Sequence, residues 1–131
     1  MWANAFTGLP FILDGRDRSG LDCWGLVRLV YKDQLNIDLP SFSGAFKDLK
    51  RETLQKISNM MAVESRNWNK VDAPQEYDVV LLRAYGSLAS HVGICLGNGL
   101  MLHVLEDIDS VIEPINGPRW RNRVAGYYRY V

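Results

Sequence analysis

The chain reads as an α+β protein in which helices come first and pack on an antiparallel β-sheet. Three observations predict this. Apolar residues recur at helical spacing from about Asp22 to Leu35, and again from Phe46 to about Ala62. After Pro74 the pattern changes to short apolar runs of strand length, such as Val79-Val80-Leu81-Leu82. Two of these runs are separated by Gly97-Asn98-Gly99, a strong hairpin signal. Helices that precede hairpin-linked strands, instead of alternating with them, define the α+β class.

In chain order, Trp2, Ala3, Ala5, Phe6 and Leu9 suit a short amphipathic helix that Pro10 stops. Phe11-Ile12-Leu13 is a short extended piece. Asp14 to Gly20 is turn chemistry. The helix from Asp22 carries Cys23, Leu26, Val27, Val30 and Tyr31 on its apolar side, and Asn36 to Ser41 breaks it. The second helix buries Phe46, Leu49, Ile57, Met60 and Met61 and solvates Lys47, Asp48, Lys50, Arg51, Glu52 and Lys56. Trp68 falls in a polar loop, either as a rim residue over the core or as a platform for a sugar. Strands are expected at Tyr77–Arg83, Ser90–Leu96, Leu100–Leu105, Val111–Ile115 and Ala125–Val131. Arg119, Arg121 and Arg123 around Trp120 would form a basic edge on an extended segment, either solvated or facing carboxylates.

Composition narrows the function. At 131 residues the chain can bury one sizeable core, so residues 1–131 are expected to form a single domain. Fifteen acidic residues balance fifteen basic ones, which argues against a nucleic-acid partner. No apolar stretch is long enough to insert in a membrane. The first residues lack a basic region followed by an apolar stretch and a cleavage site, so synthesis in the cytoplasm without a signal peptide is the expectation. Two cysteines are too few for a disulfide framework and raise the question of a functional thiol.

Cys23 is the candidate nucleophile. It stands where the glycine-bounded loop becomes a helix, and unpaired N–H groups with the macrodipole there favour thiolate. Asp22 either caps this helix or holds a substrate ammonium group. His91 and His103 are the candidate base and its orienter. Side chains alternate along a strand, so His91, Gly93 and Cys95 share one face. A three-residue loop at Gly97-Asn98-Gly99 places His103 opposite Gly93 and diagonal to His91, about 7–8 Å away by backbone. A two-residue loop turns His103 to the other face. A Cys₂His₂ metal site from Cys23, Cys95, His91 and His103 is the rival arrangement, but no close Cys or His pair supports it, and no metal or cofactor is expected.

Asp22-Cys23-Trp24-Gly25-Leu26-Val27 and His91-Val92-Gly93-Ile94-Cys95-Leu96-Gly97-Asn98-Gly99 resemble the nucleophile and base motifs of the NlpC/P60 cysteine peptidases. His103 stands twelve positions after the base, where the family has its third polar residue. The resemblance implies a papain-like core, with peptidoglycan stem peptides cut after D-glutamate as substrate. It places Asp22, Phe11 and Trp24 in the substrate-binding or oxyanion region. The family's oxyanion tyrosine precedes the cysteine by twelve residues, where this chain has Phe11. Trp24, the Gly15-Arg16 loop and the short length resemble the phage-tail members. They imply a tail component, with other tail proteins as partners, acting on the host cell wall or in tail assembly. An inactive structural tail subunit, or another acyl-transfer enzyme such as an amidase or thioesterase, is the alternative.

Overall fold

Six strands form one antiparallel sheet, and helix α1 lies across it. The computed structural model describes residues 1–131. A 3₁₀ turn, Trp2–Phe6, is followed by a small ribbon of β1 (Arg16–Asp17) and β2 (Gly20–Leu21). Helices α1 (Cys23–Leu35) and α2 (Arg51–Glu64) come next, the second continued by a 3₁₀ turn at Ser65–Asn67. The sheet contains β3 (Trp68–Val71), β4 (Val79–Leu82), β5 (His91–Cys95), β6 (Leu100–Leu105), β7 (Ile108–Pro114) and β8 (Val124–Tyr130). Its strand order is β3-β8-β4-β5-β6-β7, with every neighbouring pair antiparallel.

Helix α1 starts because Asp22 is extended and its carboxylate accepts the Gly25 N–H at 2.9 Å. It ends at Asn36, in the left-handed region at φ 55°, whose N–H bonds back to Tyr31 and Lys32 carbonyls. Between these caps Leu26, Val27, Val30 and Tyr31 are buried in one cluster with Val92, Ile94, Leu102 and Val104 of the sheet. Burying each such aliphatic side chain contributes about 1.5–3 kcal/mol. The loop before the cysteine crosses the first turn of α1 so closely that a Cβ on Gly25 would lie 2.2 Å from the Gly15 carbonyl oxygen. Only glycine fits there, and that contact sets the loop against the helix start. The opposite sheet face carries a second cluster of Val80, Leu82, Cys95, Met101, Ile115 and Trp120.

The elements differ from the sequence expectation in four places. The first segment closes as a 3₁₀ turn that ends at Phe6, before Leu9. The second helix begins at Arg51, not Phe46. Phe42 and Gly44 take left-handed backbone at φ 51° and 88°, and the Asp48 carboxylate accepts the Lys50 N–H, so the chain turns before it coils. Phe46 is thereby free to enter the core. Trp68 does not sit in a loop. It opens edge strand β3, buried against Tyr31 and Tyr130 with its Nε1–H donated to Glu64. The arginine segment is a turn, not a strand. Arg119 pairs with Glu113, and Arg123 bonds the Arg83 and Ala84 carbonyls.

Candidate active site

Helix α1 brings Cys23 to the end of β5, where His91 begins. Both line one cavity, together with Phe11, Leu13, Asp22, Tyr85 and Ser90, and α2 closes its far side through Leu54 and Ile57. Cys23 is 7% exposed. Burial pushes its thiol up to about 12, and the Asp22 carboxylate beside it acts in the same direction. Backbone hydrogen bonds from Val92 and Trp24, and the Arg16 charge, work against this without reversing it. The helix terminus therefore does not make Cys23 a resting thiolate. Desolvation outweighs the macrodipole.

The hairpin decides the histidines. Ile94 pairs with Leu102 and Cys95 with Met101, while the Leu96 N–H bonds the Leu100 carbonyl, so Gly97-Asn98-Gly99 is the three-residue loop. Gly93 faces His103, whose Cβ would be 3.3 Å from a Cβ placed on the glycine. That space lets the rings meet, and His91 Nε2 lies 2.9 Å from His103 Nδ1. His91 Nδ1 is the ring nitrogen not engaged by His103, and His91 lines the cavity that Cys23 also lines. Burial holds His91 well below its ordinary value, and the neighbouring His103 and the Arg119 charge act in the same direction. It is a neutral imidazole at neutral pH, able to accept a proton.

Two site residues carried no sequence signal. Glu113 of β7 accepts from His103 Nε2, and also from Trp120 Nε1 at 3.1 Å and Arg119 Nη1 at 3.1 Å. Trp120 stacks on His91 at 5.8 Å and meets His103 edge-on at 5.3 Å, covering the pair. Strand alternation alone could not find Glu113, because a bulge lies between His103 and Leu105 in the β6–β7 pairing.

The remaining predicted residues divide. Phe11 lines the cavity and bridges to Leu21, but brings no hydroxyl. Tyr85 lines it as well, as the phenol nearest in kind to the group that position 11 lacks. The Asp22 carboxylate is buried and engaged within the protein. It accepts from Gly25 N–H, from Asp14 N–H at 2.8 Å and from Arg16 Nη1 at 2.8 Å. In this structure it serves as the cap of α1 and as the ion-pair partner of Arg16. Trp24 turns away from the cavity. Its Nε1–H donates to the Pro40 carbonyl and its ring tilts against Phe42. It lines a different apolar pocket with Met61, Trp68 and Tyr128. The Cys₂His₂ arrangement does not form: no three His, Cys, Asp or Glu side chains gather as a metal cage, and Cys95 is packed in the outer apolar cluster.

The family model for NlpC/P60 proteins matches residues 8–129. This chain belongs to the NlpC/P60 family. It is 29% identical over 116 residues to the murein DD-endopeptidase MepS/murein LD-carboxypeptidase of Escherichia coli K12, covering 88% of this chain and 53% of the relative. It is 27% identical over 128 residues to the probable peptidoglycan endopeptidase LytE of Bacillus subtilis, covering 98% of this chain and 32% of that one. The chain thus spans about half or less of these two relatives. A solved NlpC/P60 family protein from Bacillus cereus superposes with a TM-score of 0.71 at 28% identity, over 98% of this chain and 37% of that one. The NlpC/P60 domain of the peptidoglycan hydrolase SagA shares the fold with a TM-score of 0.63, over 96% of this chain and 91% of that one.

Proposed function

We propose that this NlpC/P60 chain is a cysteine peptidase that hydrolyses amide bonds in peptidoglycan stem peptides. The observation that carries the reading is a cysteine at a helix start in one cavity with His91, which lies 2.9 Å from His103. The similarity to a murein DD-endopeptidase and to a probable peptidoglycan endopeptidase supports the substrate class. In this reading Cys23 Sγ attacks the amide carbonyl as its proton passes to His91 Nδ1. The carbonyl oxygen takes the negative charge, and the Cys23 backbone N–H, unpaired in the first helical turn, donates to it. The intermediate collapses, His91 returns the proton to the leaving amine, and water hydrolyses the thioester by the same route. His103 orients His91 throughout.

The finer reading is a D-glutamyl–diamino acid endopeptidase in a phage or prophage tail. It would be made in the bacterial cytoplasm and would act on the host wall. It rests on the motif resemblance, through Trp24 and the Gly15-Arg16 loop. Two observations favour a second reading, a weakly active or structural tail subunit: Phe11 lacks the hydroxyl, and the Cys23 thiol is held protonated. Digestion of purified peptidoglycan, with products identified by mass spectrometry, separates the two. New stem-peptide fragments from the wild type, absent with Cys23→Ala, support the peptidase. Intact substrate with both proteins supports the structural subunit.

A further inference from the structure

We propose that Glu113 is a positioning residue that sets the tautomers of both histidines and so leaves the lone pair of His91 Nδ1 free to accept a proton. The inference rests on His91 acting as the base. It follows from counting donors. Every group around the Glu113 carboxylate is a donor: His103 Nε2, Trp120 Nε1 and Arg119 Nη1. An ionised carboxylate can only accept, so His103 must carry its proton on Nε2. His103 is 1% exposed and, being neutral, has one N–H. Its Nδ1 is then an acceptor, and the contact at 2.9 Å requires His91 to donate from Nε2. His91, neutral and 2% exposed, is left with an unprotonated Nδ1. That is the only form that can take the thiol proton.

Without the carboxylate the relay can reverse. His103 would donate from Nδ1, His91 Nε2 would accept, and His91 Nδ1 would carry a hydrogen. The base would then be in place but occupied. Trp120 strengthens the lock, since its indole both covers the rings and donates to the same carboxylate oxygen as His103. Burial raises the Glu113 carboxyl, but hydrogen bonds from His103 and Trp120 and the Arg119 charge bring it below its ordinary value. It stays ionised at neutral pH.

The test is ¹⁵N–¹H long-range correlation NMR on histidine-labelled protein, alongside muropeptide turnover across pH. The wild type should show both histidines protonated on Nε2. Glu113→Leu should move both toward Nδ1–H and lower kcat at neutral pH by at least about tenfold, with KM little changed. The loss should stay short of the ~10⁴ seen when a carboxylate bonded directly to a catalytic base is replaced. Glu113→Asp should recover part of the Nε2–H form and part of the rate. If Glu113→Leu fails to fold, Glu113→Gln keeps the shape and should give mixed tautomers, because its amide can accept from or donate to His103. A wild type with His103 protonated on Nδ1 overturns the proposal, as do Glu113 variants with unchanged tautomers. The stated tautomers without any turnover would uphold the lock and reject the peptidase reading.

Discussion

Gly93→Ala should separate catalysis from folding. A Cβ at position 93 would sit 3.3 Å from His103 Cβ, 3.3 Å from the Leu102 carbonyl oxygen and 3.3 Å from the Met101 sulfur. Carbon atoms rest at ~3.5–4.0 Å, so His103 must retreat by about 0.2–0.7 Å. The His91–His103 contact of 2.9 Å then lengthens beyond the ~3.2 Å limit of a good N–H hydrogen bond. Overpacking costs about 1–3 kcal/mol, and replacing a strand glycine returns about 0.5–1 kcal/mol of it. Net destabilisation should be at the lower end, about 1 kcal/mol, or a Tm drop of a few degrees. Activity should suffer more. A misplacement of ~1 Å can cost ~10²-fold, so about half that shift should lower kcat about tenfold. The assay is steady-state cleavage of one purified muropeptide, with thermal unfolding followed by circular dichroism. An unchanged kcat in folded protein would refute the reasoning, since the space at Gly93 would then have no part in aligning the rings.

Phe11→Tyr adds a hydroxyl to a ring already in the cavity and should raise kcat by roughly tenfold, part of the ~10²–10³ that one oxyanion donor contributes; an active wild type left unchanged would mean that Tyr85 or a backbone N–H already completes the site. Stability should fall as pH drops below 6.5. His91 and His103 are both lowered from that value, chiefly by burial, so between their folded values and 6.5 the unfolded chain binds more protons and the loss reaches about 1.4 kcal/mol per pH unit for each histidine. A Tm flat from pH 7 to 5 would contradict neutral buried rings. Iodoacetamide should label Cys23 before Cys95, slowly at neutral pH and faster as pH rises, because both thiols are pushed up to about 12 but only Cys23 shares a cavity with a base. Preferential labelling of Cys95, followed by peptide mapping, would remove that assignment.

What the sequence determined by itself is the part governed by local chemistry. The Asp22 cap, the helical stripe after Cys23 and the glycine hairpin each act over a few residues, and all appear as read. The sequence left the loop at two or three residues, and the three-residue loop of the structure is what carries His103 to the face of His91. Two features needed the tertiary structure. The Cys23 thiol is pushed up to about 12 chiefly by its burial where distant segments close the cavity, with Asp22 adding to it, and no local signal reports desolvation. Glu113 is the sharper case. Leu105 pairs with Ile108, and that register carried on without interruption would place Glu113 opposite Leu100, on the α1 side of the sheet. The irregularity between His103 and Leu105 shifts the pairing by one residue, so that Glu113 faces Met101 and shares the histidines' side. A slip of one residue exchanges the two faces of a strand, and only packing on both sides of the sheet decides where it occurs.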